Sequence, residues 1–185
     1  MKLLFENWRK DIKEKLIQES HFPLTSGEKL RIHHSRQGSR IGEEPQVSGF
    51  SQKAGRKPNG LWYECQDGSS MDWQTFCDTG LSTKYSERYD STYNVDLEDY
   101  NILFIPDIYY FDKFTEMYGV PHPAFPNDPE EKLIDWAKVA EHYSGIEICP
   151  YIADRRDVEW YYGWDVASGC VWDQEGIKEL REVKC

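Results

Sequence analysis

Apolar residues recur every four positions at Leu4, Trp8, Ile12 and Leu16, with Phe5 beside them, while Arg9, Lys10, Lys13, Glu14 and Lys15 fill the remaining face. That period predicts an amphipathic helix over residues 1–19. It stops at 20–27, where Pro23 and Gly27 read as a linker, and residues 28–185 have room for one domain with its own core. Downstream the period shortens. Residues 29–34, 60–65, 93–97, 102–105 and 146–148 alternate or run apolar over short lengths, as strands do, and 161–172 reads as an aromatic strand pair around Ala167-Ser168-Gly169. Between them, 72–77 predicts a helix with Trp73 and Phe76 inward, and 107–118 a helix with Ile108, Phe111 and Phe114 on one side. Residues 129–143 predict a longer helix that buries Leu133, Trp136, Ala137 and Ala140 and ends at Ser144-Gly145. Residues 37–58, rich in Gly, Ser, Arg and Lys, read as a long mobile loop closed by the turn Lys57-Pro58-Asn59-Gly60, and Pro121, Pro123, Pro126 and Pro129 mark a second irregular stretch. The pattern is that of an α+β chain with more strand than helix.

Charge narrows the classes of partner. A formal net charge of −11 opposes unaided binding to a phosphate backbone, and no run of about 18 apolar residues offers a membrane span. The amino terminus is too charged for a secretory signal. The five cysteines are odd in number and widely spaced, without a Cys-x-x-Cys pair, which favours free thiols in a reducing cytosol over disulfides or structural zinc. Positive charge gathers in one place: Arg36, Arg40, Lys53, Arg56 and Lys57 meet only Glu43 and Glu44, so this loop is either a counter-charge for a pyrophosphate or a solvated surface. There is no phosphate-binding Gly-rich loop with its Lys-Ser/Thr, no metal-ligand histidine spacing, no nucleophile elbow, and no calcium loop within 90–99.

Three strand segments each carry a polar or aromatic residue that a packed core would not choose. They are Arg31-Ile32-His33-His34-Ser35, Gly60-Leu61-Trp62-Tyr63 and Gly145-Ile146-Glu147-Ile148. Imidazole, aromatic pair and carboxylate in that order resemble the His, Tyr, Glu strand signature of ADP-ribosyltransferases, over residues 28–175. The resemblance implies a split antiparallel β-sheet core with flanking helices, NAD as the cofactor consumed, and departure of nicotinamide through an oxocarbenium-like sugar, for which a carboxylate near the ribose hydroxyls is needed. It assigns that role to Glu147, with Asp165 as a secondary acid. It gives His34 and Ser35 the ribose or the nicotinamide amide, with His33 on the other side of the strand. Trp62 aligns with the motif tyrosine and Tyr63 with the aromatic after it; either ring could hold nicotinamide flat, or both could be core. Arg40, Arg56 and Lys57 would take the phosphates. Arg31 would suit a subclass that opens with Arg, but the Ser-rich second motif of that subclass is missing, and Gly145 stands where arginine-specific members carry a second acid.

Leu4-Phe5-Glu6-Asn7-Trp8-Arg9-Lys10 resembles the leader on many proteins of large tailed phages, and Ile17-Gln18-Glu19 fits the rule by which the T4-like maturation protease removes such prohead-targeting leaders. The expected activity is therefore transfer of ADP-ribose from NAD to a host protein or nucleic acid, in the host cytoplasm and after packaging in the virion if the leader works as its likeness implies. A non-catalytic acidic protein that blocks a host or defence protein is the alternative, and an internal virion protein without activity is a third.

Overall fold

Strand runs that are buried on both faces or on alternate residues dominate the computed structural model, which describes residues 22–25, 29–36, 50–66, 68, 72–78, 89–98 and 101–183. In chain order the strands are β1 (Leu30–Arg36), β2 (Ala54–Gly55), β3 (Leu61–Gln66), β4 (Tyr89–Leu97), β5 (Ile102–Ile105), β6 (Gly119–Pro121), β7 (Lys132–Asp135), β8 (Gly145–Ile148), β9 (Ser168–Val171) and β10 (Ile177–Glu182). The helices are α1 (Trp73–Asp78), α2 (Ile108–Tyr118) and α3 (Trp136–Ala140). The predicted amphipathic helix, residues 1–19, lies outside the described residues.

Seven strands form one continuous sheet in the order β10-β4-β1-β3-β9-β8-β5, and β2, β7 and β6 form a second, small one. Every pair in the large sheet is antiparallel except β5 with β8. A parallel pair needs a long crossover, and the stretch from α2 through α3 supplies it. The sheet curls. Ile102 at one end of the strand order and Ile177 at the other pack in one cluster with Leu61, Tyr63, Val95, Leu97 and Val171, which makes this the inner face. The outer face presents Leu103, Ile105, Ile146, Ile148 and Cys170 to α2 and a belt of aromatics. There Phe111 stacks on Trp160 at 4.7 Å, and three of the indole N–H groups find acceptors: Trp160 on the Thr115 hydroxyl, Trp172 on the Tyr143 carbonyl, Trp136 on the Gly55 carbonyl.

The α+β class and the main strands match the sequence pattern, and Asp107 caps α2 by accepting from the Tyr110 amide at 3.0 Å. Several expectations are corrected. Residues 129–143 are not one helix: 132–135 extend between β6 and β2, and Asp135 then caps a five-residue helix. Pairing on both sides decides the conformation, so Ile134 and Trp136 are buried while Ala137 is exposed and Leu133 only half-buried. The loop expected over 37–58 is ordered in its described part, where β2 pairs with β7. Residues 160–164 turn rather than extend, leaving only Ser168–Val171 as a strand. β10 has apolar residues three apart, Ile177 and Leu180, because a bulge interrupts its pairing with β4 and breaks the period of two. Ile108 lies at the surface, and Phe111, Phe114 and Tyr118 form the buried side of α2. Cys65 and Cys149 are joined as a disulfide, against the expectation of free thiols; Cys77 and Cys170 are free and buried. Among the described residues no helix is long and apolar enough to cross a membrane.

Candidate functional site

Strand alternation fixes which motif residues can meet. Tyr63 on β3 lies opposite Gly169 on β9, which lies opposite Glu147 on β8, so these three share the inner face. Gly169 has no side chain to fill the gap, and the Tyr63 hydroxyl crosses β9 to donate to Glu147 Oε2 at 3.2 Å. A Cβ at Gly169 would overlap that hydroxyl. Arg31 stands opposite Cys65 and therefore on the same face as Tyr63. Its Nε donates to Glu147 Oε2 at 2.6 Å and its Nη2 to Oε1 at 3.4 Å. One residue from each of the three segments thus meets at a single carboxylate.

Two more groups come from a segment that pairs with the outer edge of β5. The Thr25 amide donates to the Ile102 carbonyl and the Phe104 amide to the Pro23 carbonyl, both at 3.0 Å. This pairing sets the Thr25 hydroxyl 2.7 Å from Glu147 Oε1, as donor, and 2.9 Å from Arg31 Nη2, as acceptor. Lys29 Nζ reaches Oε1 at 3.1 Å and rests over the Phe104 ring at 3.9 Å. Glu147 has 0% of its surface exposed and Arg31 5%. Burial alone pushes the Glu147 carboxyl up, but the Arg31 hydrogen bond and charge, the Thr25 hydroxyl and Lys29 outweigh it and hold the pKa below the ordinary value. Burial and the neighbouring carboxylate drive the Tyr63 phenol well above its usual pKa, so it stays a donor.

A carboxyl whose folded pKa is depressed stabilises the fold fully above its unfolded pKa, and the contribution is lost as pH falls through the folded value. Thermal melts from neutral to strongly acid pH should therefore show wild type losing more stability below the ordinary carboxylate range of about 4.3 than Glu147→Gln does. Parallel acid limbs in the two proteins would sink the assignment of this carboxyl as the charged centre.

The remaining predicted residues lie elsewhere. Ser35 is buried on the Arg31 side of β1, and His33, also on that side, holds the Trp62 carbonyl through Nδ1 at 2.6 Å. Burial, reinforced by His34, lowers the His33 pKa against that hydrogen bond. His34 faces outward, with Nε2 3.3 Å from Glu64 Oε1. Trp62 also faces outward, where the edge of Trp164 meets it at 4.8 Å and Lys57 Nζ lies 5.1 Å from its ring centre. Lys57 and Trp62 thus lie across the sheet from Glu147, and burial lowers the Lys57 pKa against the opposing charge of Asp165. Arg56 turns to Glu159, donating through Nε at 2.8 Å, and Arg40 lies outside the described residues.

Arg31, Thr25 and Lys29 are the participants the sequence argument did not select. The signal for Arg31 was the phase of β1: a buried glutamate needs a counter-charge, and alternation forbids His34 and Arg31 from sharing a face. Nothing local marks Thr25, because its role depends on pairing with β5. Neither a family model, nor a curated protein, nor a solved structure matches this chain.

Proposed function

We propose that the chain transfers ADP-ribose from NAD to a host macromolecule, on an ADP-ribosyltransferase-like fold, with Arg31, Tyr63 and Glu147 as the reacting constellation in place of His34, Trp62 and Glu147. The observation that carries this reading is the convergence of the three separate segments on one carboxylate. The glycosidic bond between nicotinamide and ribose breaks with its electron pair leaving on nicotinamide. The acceptor nucleophile then bonds to the sugar carbon and gives its proton to solvent. Glu147 would hold a ribose hydroxyl and offset the developing positive charge; Arg31 would orient the carboxylate, as its short Nε contact already does. Tyr63 donates a hydrogen bond without titrating.

Glu147→Gln keeps the shape and removes the charge, so it is expected to spare NAD binding and cut turnover about 10²-fold or more. Nicotinamide release and label transfer from radiolabelled NAD measure this. Wild-type turnover in Glu147→Gln would remove the residue from the reaction.

One observation favours a second reading. Glu147 is sealed from solvent, while Tyr109, Phe125 and Tyr162 stand 65%, 55% and 62% exposed on an acidic protein. A non-catalytic protein that covers a basic surface of a host protein would use such side chains as anchors. NAD separates the two, since only the enzyme is stabilised against heat by it.

A further inference from the structure

The Thr25 hydroxyl donates to a carboxylate oxygen and accepts from a guanidinium, and both of those groups are buried and belong to the sheet. An alcohol of a sugar ring would make the same two bonds there. Lys29 occupies what is left of the same oxygen, Oε1. The rest of the segment is held by other means: Phe22 is packed in the outer aromatic core, and Leu24 lies against that core while its backbone bridges Leu103. The pairing is also slight, a single bridge flanked by two backbone hydrogen bonds at the sheet edge. With Phe22 buried and Leu24 packed beside it, the closed arrangement is the dominant one.

We propose that Arg31 and Glu147 form a hydroxyl-recognition site for a polyol ligand, and that residues 22–25, with Lys29, strap it shut by placing the Thr25 hydroxyl where a ligand hydroxyl binds. This rests on the ADP-ribosyl transfer reading for the identity of the polyol as the ribose of NAD. The strap explains how an acid needed by a substrate can be wholly buried: ligand and strap compete for one place, and apparent affinity falls by the fraction of molecules that are open.

The double variant Thr25→Ala/Lys29→Ala removes both side chains from Oε1. It is expected to bind NAD and free ADP-ribose at least about tenfold more tightly than wild type by calorimetry. The Thr25 and Phe104 amides should exchange hydrogen faster, with the amides of β3 and β9 unchanged. Thr25→Ser keeps the hydroxyl and should bind as wild type does. Should the double variant prove too unstable to study, Thr25→Ala alone must still shift affinity in the same direction. If wild type binds and consumes NAD and the variants bind no better, the strap is overturned and the transferase reading stands. If the double variant binds ADP-ribose more tightly than wild type but no protein releases nicotinamide, the strap stands and the transferase reading falls. If none of them binds either ligand, both are overturned.

Discussion

Arg31→Met is expected to lower the melting temperature by roughly 10 °C, because it strands a buried carboxylate and costs about 3 to 5 kcal/mol, at about 2 to 4 °C per kcal/mol for a chain of this size. The physical reason is asymmetry. Desolvating an ion costs several kcal/mol, and the Arg31–Glu147 pair offsets this cost only while both partners are present. Met has nearly the length of the arginine stem and fills the same space, so lost packing contributes little. Arg31→Met/Glu147→Leu, which removes both charges, should regain most of the stability. The two single variants and the double form a cycle whose coupling energy, read by calorimetry, isolates the pair. A loss below about 2 °C in Arg31→Met would mean that Lys29 and Thr25 alone satisfy Glu147.

Reduction of the Cys65–Cys149 bridge should act almost as strongly. The bonded residues are 84 positions apart, and closing a loop of that length restricts the unfolded chain by about 4 to 5 kcal/mol in the chain-entropy account. Dithiothreitol, or Cys65→Ser with Cys149→Ser, is expected to lower the melting temperature by roughly 10 °C. An unchanged transition in reductant would show that the two thiols are not joined in solution. Cys77 and Cys170 are buried and free, so the reductant has no second target among the described residues.

The strands were legible because their apolar runs are short and bounded by turn residues, and α2 because Asp107 precedes a period that brings Phe111 and Phe114 together. What failed to show was decided at a distance. Lys132–Asp135 joins a helix-like apolar stretch, yet pairs with strands from 54–55 and 119–121, and no local window contains those partners. That the three segments lie together was legible, and which of their side chains meet was not. Arg31 and Tyr63 turn toward Glu147 while His34 and Trp62 face the other way, because positions an odd number apart on β1 and on β3 lie on opposite faces of the sheet. The disulfide was hidden for a related reason: Cys65 and Cys149 are each two residues beyond a member of the cluster, Tyr63 and Glu147, and only the alternation of both strands in one sheet puts them side by side.

Between those two cross-links run β9 and the residue before it, which carry nothing larger than a methyl group where they pass: Gly169 lies beneath the Tyr63–Glu147 contact, and Ala167 packs with Cys65 and Cys149. The residues at 167 and 169 are therefore chosen by neighbours on other strands and by none of their own chemistry. A bulky side chain at 169 would be a lesion in two other strands at once, parting the phenol from the carboxylate without altering either, and its phenotype would be mistaken for loss of Tyr63 or Glu147.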